Sequence, residues 1–310
     1  MQRPAVHQAP LPHDHTNDHP SDGCGDGPWI WLVAGTGEGP PLAARLLERG
    51  WRVRVSVVSK AACRAYAPHP RLEMAVGAIG ADAGGAGEPV AAVLAELRAA
   101  AQRGQACRWV IDASHPFARR ISAGLATACR LQGQPLLRLR RPQPEAPGAG
   151  ILPDLPALQA ERLSDRRLLL AIGARRLAEA MGHCPGAIHH ARLLPSPEAL
   201  RRAMAAGIAA ERVACLRPPG EADAAAAVEA ALCRRWGIEV VLCRRSGGPS
   251  ETHWRRICED LGLRLLLLER PPEEAGVMAL TLESLLARVG HPPIPCHGRD
   301  PAGAGAYQRN

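Results

Sequence analysis

Aromatic side chains are scarce in this chain of 310 residues: they make up 3%, with one Phe and two Tyr beside six Trp. That scarcity removes the stacking platforms on which RNA and single strands are read. No basic recognition helix compensates, so no nucleic-acid partner is expected. Lysine is nearly absent, with Lys60 the one lysine among 38 basic residues. Because the tyrosines stand at positions 66 and 307, no Tyr-x-x-x-Lys pair exists, and the usual short-chain dehydrogenase chemistry is excluded. There is no Gly-x-x-x-x-Gly-Lys-Ser/Thr loop for a P-loop nucleotidase and no Gly-x-Ser-x-Gly elbow for a hydrolase. No apolar run approaches the roughly 18 residues that cross a bilayer, so no membrane partner is expected. The stretch from Met1 to Pro28 is rich in His, Asp and Pro and lacks the apolar segment of a secretory signal, which makes the cytoplasm the expected location.

Paired cysteines are missing too. The ten Cys are scattered singly with no Cys-x-x-Cys among them, the pattern of reduced thiols that pack as small hydrophobes. No metal site is expected, since His13, His15, His19 and Cys24 fall in a tail of disordered composition. What the chain does carry is charge of one sign. The net balance is +8, almost all from arginine, and a field of that sign favours anionic ligands. With nucleic acid and membrane set aside, a polyanionic small molecule is the expected partner.

Forty-six per cent hydrophobic residues in a chain of this length can build about two cores. From Trp29 onward, short apolar runs alternate with helix-period segments, the mark of parallel strands joined by crossover helices. Strands are predicted at 30–34, 52–57, 72–76, 109–112 and 135–139, with helices at 41–48, 89–103 and 118–131. Gly84-Gly85-Ala86-Gly87 reads as a loop, and a Pro- and Gly-rich linker covers 141–156. A second series follows, with strands at 168–172, 187–192, 212–217, 238–243 and 264–269. Its helices are predicted at 174–181, 197–206, 222–236, 251–261 and 282–289. The fold class is therefore α/β, as two halves alike in plan, each of mainly parallel strands joined by crossover helices. Residues 1–28 are expected to form a disordered tail, 29–145 a dinucleotide-binding domain, 146–290 a second α/β domain, and 291–310 another disordered tail.

Two motifs carry chemistry. Gly35-Thr36-Gly37-Glu38-Gly39 follows the first strand and opens a helix, where free amides and the helix dipole favour a phosphate. Its spacing departs from Gly-x-Gly-x-x-Gly, and a tight packing turn is the bland alternative. About 20 residues further on, an NAD-selective fold places an acid on the ribose. This chain has Ser59, Lys60 and Arg64 instead, which suits a 2′-phosphate and favours NADPH, with NADH the alternative. The second motif is Asp112-Ala113-Ser114-His115-Pro116-Phe117 at the end of an apolar strand, where polar groups face the ligand crevice. Asp112, Ser114 and His115 are the candidate catalytic residues, and His115 could exchange a proton near neutrality or bind a substrate carboxylate. A helix cap at Ser114 is the structural alternative. Gly173, Arg192, Arg217, Arg244, Ser246 and Gly247 stand at strand ends of the second half and are candidates for gripping carboxylates.

These residues together resemble the precorrin-6A reductase family of the cobalamin pathway, over about 29–271. The resemblance rests on the 35–39 turn, Val76-Gly77, the run from Ile111 to Ala118 followed by Ile121-Ser122, and Arg138 with Arg141-Pro142. It continues in Ile172-Gly173, Arg192 with Leu194-Pro195, Ser246-Gly247-Gly248 and Arg270-Pro271. It implies a fold of two Rossmann-like α/β domains, each a mainly parallel sheet flanked by helices, with an interdomain cleft. It also implies a nicotinamide-dependent reductase that saturates one ring D double bond of a polycarboxylate tetrapyrrole, metal-free or cobalt-bearing, to give the 6B form. Departures lie mainly in the second half, where Arg217-Pro218-Pro219-Gly220, Arg244-Arg245, Thr252-His253 and Ala171 replace residues common in the family. Two other readings remain open on the residues alone: an NADP-dependent oxidoreductase on a smaller anion, and a non-catalytic dinucleotide sensor.

Overall fold

The computed structural model describes residues 27–80, 88–216 and 224–293. Twelve strands and nine helices follow one another in these segments. The first sheet takes β1 (Trp29–Ala34), β2 (Arg52–Val57), β3 (Leu72–Val76), β4 (Cys107–Ala113) and β5 (Leu136–Leu139). The second takes β6 (Gly150–Leu152), β7 (Arg167–Ala171), β8 (Ile188–Leu193), β9 (Val213–Cys215), β10 (Val240–Arg244) and β11 (Arg264–Leu268). The last strand, β12 (Met278–Leu280), pairs with β5 and so returns to the first sheet.

Both sheets are six-stranded and parallel throughout, in the orders β12-β5-β4-β1-β2-β3 and β6-β11-β10-β7-β8-β9. The orders are the same plan, with β7 in the place of β1 and β10 in the place of β4. Each sheet therefore reverses direction of growth at one point, between β1 and β4 or between β7 and β10, and that is where open α/β sheets bind ligands. The chain crosses between lobes twice, after β5 and again after β11. Residues 278–289 thus pack on the first lobe, and the expectation that 146–290 would form one unit is corrected there.

Helices cover both faces of each sheet because side chains alternate along each strand. Ile30, Leu32 and Ala34 meet α1 (Gly39–Glu48) and α9 (Leu282–Val289), with α2 (Lys60–Cys63) at the edge. Trp29, Trp31 and Val33 meet α3 (Pro89–Gln102) and α4 (Arg119–Gln132). In the second lobe Leu168, Leu170 and Ile172 pack against α5 (Leu177–His183) and α6 (Pro197–Ala205). Leu169, Val241 and Cys243 pack against α7 (Ala224–Trp236) and α8 (Pro249–Leu261). All but one of the predicted strands and helices lie within two residues of an observed element. The exception is 174–181, which begins as a short 3-10 turn over Ala174–Arg176 before α5 (Leu177–His183). The strands β6 and β12 and the four-residue α2 were not anticipated. The loop 84–87, Arg217, His13, His15, His19, Cys24 and most of both tails lie outside the described residues.

Candidate active site

The two chemical motifs meet at the switch point of the first sheet. β1 and β4 are neighbours in register, with Ala34 opposite Ala113, so the 35–39 turn and the 112–117 loop leave the sheet side by side. The Thr36 hydroxyl donates to the Ala113 carbonyl at 3.3 Å, and a Cβ on Gly35 would lie 3.8 Å from the His115 amide nitrogen. Gly35 and Gly37 are exposed, and nothing lies within 4 Å of where a Cβ on Gly37 would point. Gly39 differs: a Cβ there would meet Ala34 at 2.8 Å and the Tyr66 hydroxyl closer still, so this glycine lets α1 press onto β1. Glu38 does not project freely toward a ligand, since its carboxylate pairs with Arg141 at 2.9 Å.

At the end of β2, Ser59 caps α2 by accepting from the Ala62 amide. Lys60 and Arg64 beside it are exposed and form no ion pair among the described residues.

Asp112 and Ser114 are buried, at 2% and 7% exposure. Asp112 Oδ1 accepts from the Ser114 amide at 2.9 Å, and Oδ2 accepts from the Ser122 hydroxyl at 2.6 Å. The Arg138 guanidinium, 2.6 Å from Oδ2, donates to both serine hydroxyls at 3.0 and 3.1 Å. Every partner in this network is internal, so Asp112 and Ser114 hold the loop in shape together with Ser122 and Arg138. Arg138 reaches on to Glu273 in the second crossover at 3.2 Å.

His115, at the tip of that loop, is only partly buried. Its Nδ1 accepts from the Phe117 amide at 3.1 Å, which leaves the ring proton on Nε2. Burial, followed by the charges of Arg244, Arg141 and Arg138, pushes its pKa from 6.5 down to about 3. The free protein at neutral pH therefore presents a neutral imidazole that donates a hydrogen bond from Nε2.

Across the gap stands the second sheet's own switch point. Gly173 follows β7 at φ 82°, and a Cβ there would meet Arg244 Nη2 at 3.2 Å. Arg244, at the end of β10, lies 5.2 Å from the centre of the Phe117 ring. Phe117, the chain's one phenylalanine, belongs to the first lobe yet packs against the second lobe's core. Arg244 has no acid partner among the described residues. Burial, then Arg176 and Arg175, bring its pKa down to about 10, so it remains a cation at neutral pH.

The other candidates are already engaged. Arg192 is ion-paired through Nε to Glu229, which also binds His253, all three being largely buried. Gly247 has φ 67° and lies against the Pro142 carbonyl, while its amide donates to Glu251 at 2.7 Å. Ser246 is 4% exposed. Arg192 thus lies within the second lobe, and the Ser246–Gly247 turn lies where the second lobe meets the first crossover. Glu229 left a trace in the sequence as the one acid in the apolar run 224–233. Beside the Glu38–Arg141 pair, between the two crossovers, opens a cavity of about 1060 Å³ lined by Leu139, Pro142, Arg270, Thr281 and Leu282 among others. The described cysteines are free thiols. No helix among the described residues is long and apolar enough to cross a membrane.

Comparison with known proteins agrees with this architecture. A solved structure of CobK precorrin-6A reductase superposes with a TM-score of 0.64 at 25% identity, covering 86% of this chain and 99% of that one. The cobalt-precorrin-6A reductase of Synechocystis sp. is 32% identical over 254 residues, 80% of this chain and 90% of the relative. The precorrin-6A reductase of Rhodococcus erythropolis is 31% identical over 251 residues, 78% of this chain and 89% of the relative. The model of the family "Precorrin-6x reductase CbiJ/CobK" matches residues 29–289, a span that takes in both sheets and both crossovers. This chain belongs to the precorrin-6x reductase CbiJ/CobK family.

Proposed function

We propose that this reductase of cobalamin biosynthesis, acting on precorrin-6A or cobalt-precorrin-6A, takes its hydride from NADPH bound over the carboxyl ends of β1, β2 and β4. The observation that carries this reading is the rim at the end of β2. Lys60 and Arg64 are exposed there without ion-pair partners among the described residues, and no acid follows β2 to bind an unphosphorylated ribose. The 35–39 turn fits the diphosphate, since Gly35 and Gly37 are exposed and no atom crowds Gly37. When bound, NADPH supplies the hydride for one carbon–carbon double bond of the macrocycle.

The chain's own residues bind and orient. Thr36, bonded to the Ala113 carbonyl, fixes the turn against the loop that bears His115. Arg244 offers a guanidinium without an acid partner to a substrate carboxylate, in a half-buried setting where such a pair is stronger than at the surface. His115 donates from Nε2 to a carboxylate or another acceptor on the macrocycle. Burial holds its pKa low, followed by Arg244, Arg141 and Arg138, and a substrate carboxylate paired with Arg244 would remove that arginine's share and raise the imidazole pKa. Protonation of the carbon next to the hydride acceptor is open to His115 only after that rise, and solvent is the source otherwise. Family membership and the open switch point favour this reading over a smaller anionic substrate or a sensor.

The test is the ratio of kcat/KM for NADPH to that for NADH, with purified precorrin-6A and its cobalt form. We expect NADPH to be preferred, and Lys60→Ala/Arg64→Ala to cut the preference by about tenfold or more, as loss of charge-assisted bonds to a phosphate should. An unchanged ratio would remove these two residues from cofactor choice.

A further inference from the structure

Glu38 stands in an awkward place for a protein that binds a diphosphate, because it puts a carboxylate in the turn the phosphates must approach. Its partner Arg141 comes from the first crossover between lobes, and that side chain is 6% exposed. The two groups are 2.9 Å apart, yet Glu38 Oε2 and Arg141 Nη2 both lie buried without a hydrogen bond. Their attraction is Coulombic and off the N–H direction. The rest of Arg141's surroundings is unfavourable: burial first, then Arg138 and Arg270, depress its pKa, while Glu38 acts in the opposite sense. A buried guanidinium among cations, held by one poorly directed carboxylate, is a site for a better anion.

The turn also needs such a cation. Pro40 and Pro41 have no N–H, and the Gly39 amide is spent on the Thr36 carbonyl at 3.2 Å. The amides of Thr36, Gly37 and Glu38 remain, a small set of donors for a diphosphate. The second lobe closes over the same place, since a Cβ on Gly248 would lie 3.2 Å from Arg141 Nη1 and 3.5 Å from Glu38 Oε1.

We infer that Arg141 is a ligand of the cofactor diphosphate, and that Glu38 is its internal stand-in, occupying the guanidinium until the phosphate oxygens displace it. This rests on the cofactor reading given above and extends it to a residue outside the glycine turn. The exchange takes place under the Ser246-Gly247-Gly248 loop, so cofactor binding is felt at a contact between lobes.

Calorimetric titration of NADPH at fixed ionic strength tests the exchange in wild type, Glu38→Gln, Arg141→Gln and the double variant. Glu38→Gln should bind NADPH more tightly, by about tenfold, because the competitor is neutralised. Arg141→Gln should bind more weakly by a similar factor, and the gain from Glu38→Gln should vanish in its background. Should Arg141→Gln fail to fold, Arg141→Lys keeps the charge without the fork. It should bind more weakly than wild type while retaining the gain from Glu38→Gln. If Glu38→Gln binds no tighter than wild type, the stand-in role is overturned, while measurable NADPH binding by wild type leaves the cofactor reading intact. Failure of wild type to bind NADPH overturns both.

Discussion

Asp112 and Arg138 are direct neighbours on adjacent parallel strands, so the ion pair between them is built into the register of the sheet. Neither charge has water to fall back on, and removing one partner strands the other. Asp112→Asn should destabilise the protein by roughly 3–5 kcal/mol, read from chemical denaturation, whereas an exposed pair such as Arg202–Glu198 would show little on the same assay. His115 makes a second residue-scale expectation. Its folded pKa of about 3 lies below the unfolded 6.5, so between those values the unfolded chain takes up a proton that the folded one does not. The stability that His115 contributes is therefore complete above pH 6.5 and is lost as pH falls toward 3. His115→Gln should flatten that part of the stability–pH curve, and a curve identical to wild type would show that the imidazole titrates normally. In the free protein at pH 5, nitrogen NMR should find the ring neutral with its proton on Nε2.

At the scale of elements, two glycines of one turn serve different ends. Gly39→Ala sets a methyl against Ala34 at 2.8 Å, so α1 must shift from β1, with a loss of about 1–3 kcal/mol in stability. Gly37→Ala meets open space and should leave the melting temperature near that of wild type while weakening NADPH. If both variants lost only stability, the turn would be a packing device. The elements themselves were legible where the sequence pattern was long. Trp29–Ala34 supplies two clean faces, and Pro89–Gln102 repeats apolar residues at helical spacing. Met278–Leu280 and Gly150–Leu152 were not legible, because three residues carry no period, and their place is fixed by a neighbour far along the chain. The same limit applied to side chains. Asp112, Ser114 and Arg192 looked available because their partners Ser122, Arg138 and Glu229 are brought to them only by sheet order and helix packing.

At the scale of the molecule, two sheets of one plan bring their switch points face to face, and the sixth strand of the first is returned from the second lobe's far end. The chain order β5 to β6 and β11 to β12 sends both connections across the gap, where Arg141, Arg270 and Glu273 are carried to the cavity. A gap lined in this way concentrates arginine around His115, with Arg138 and Arg141 balanced by Asp112 and Glu38 and Arg244 left to a ligand. That unbalanced guanidinium, in a chain of net charge +8, suits a macrocycle bearing many carboxylates. The claim on which this account turns is that the carboxyl ends of β1, β2 and β4 receive the reduced nicotinamide cofactor. Amide hydrogen exchange, followed by mass spectrometry with and without saturating NADPH, measures it directly. We expect protection at Thr36, Gly37 and Glu38, with further protection over 59–64 and 113–117. Protection confined to the second lobe, with the 35–39 turn exchanging as fast as before, would contradict the account.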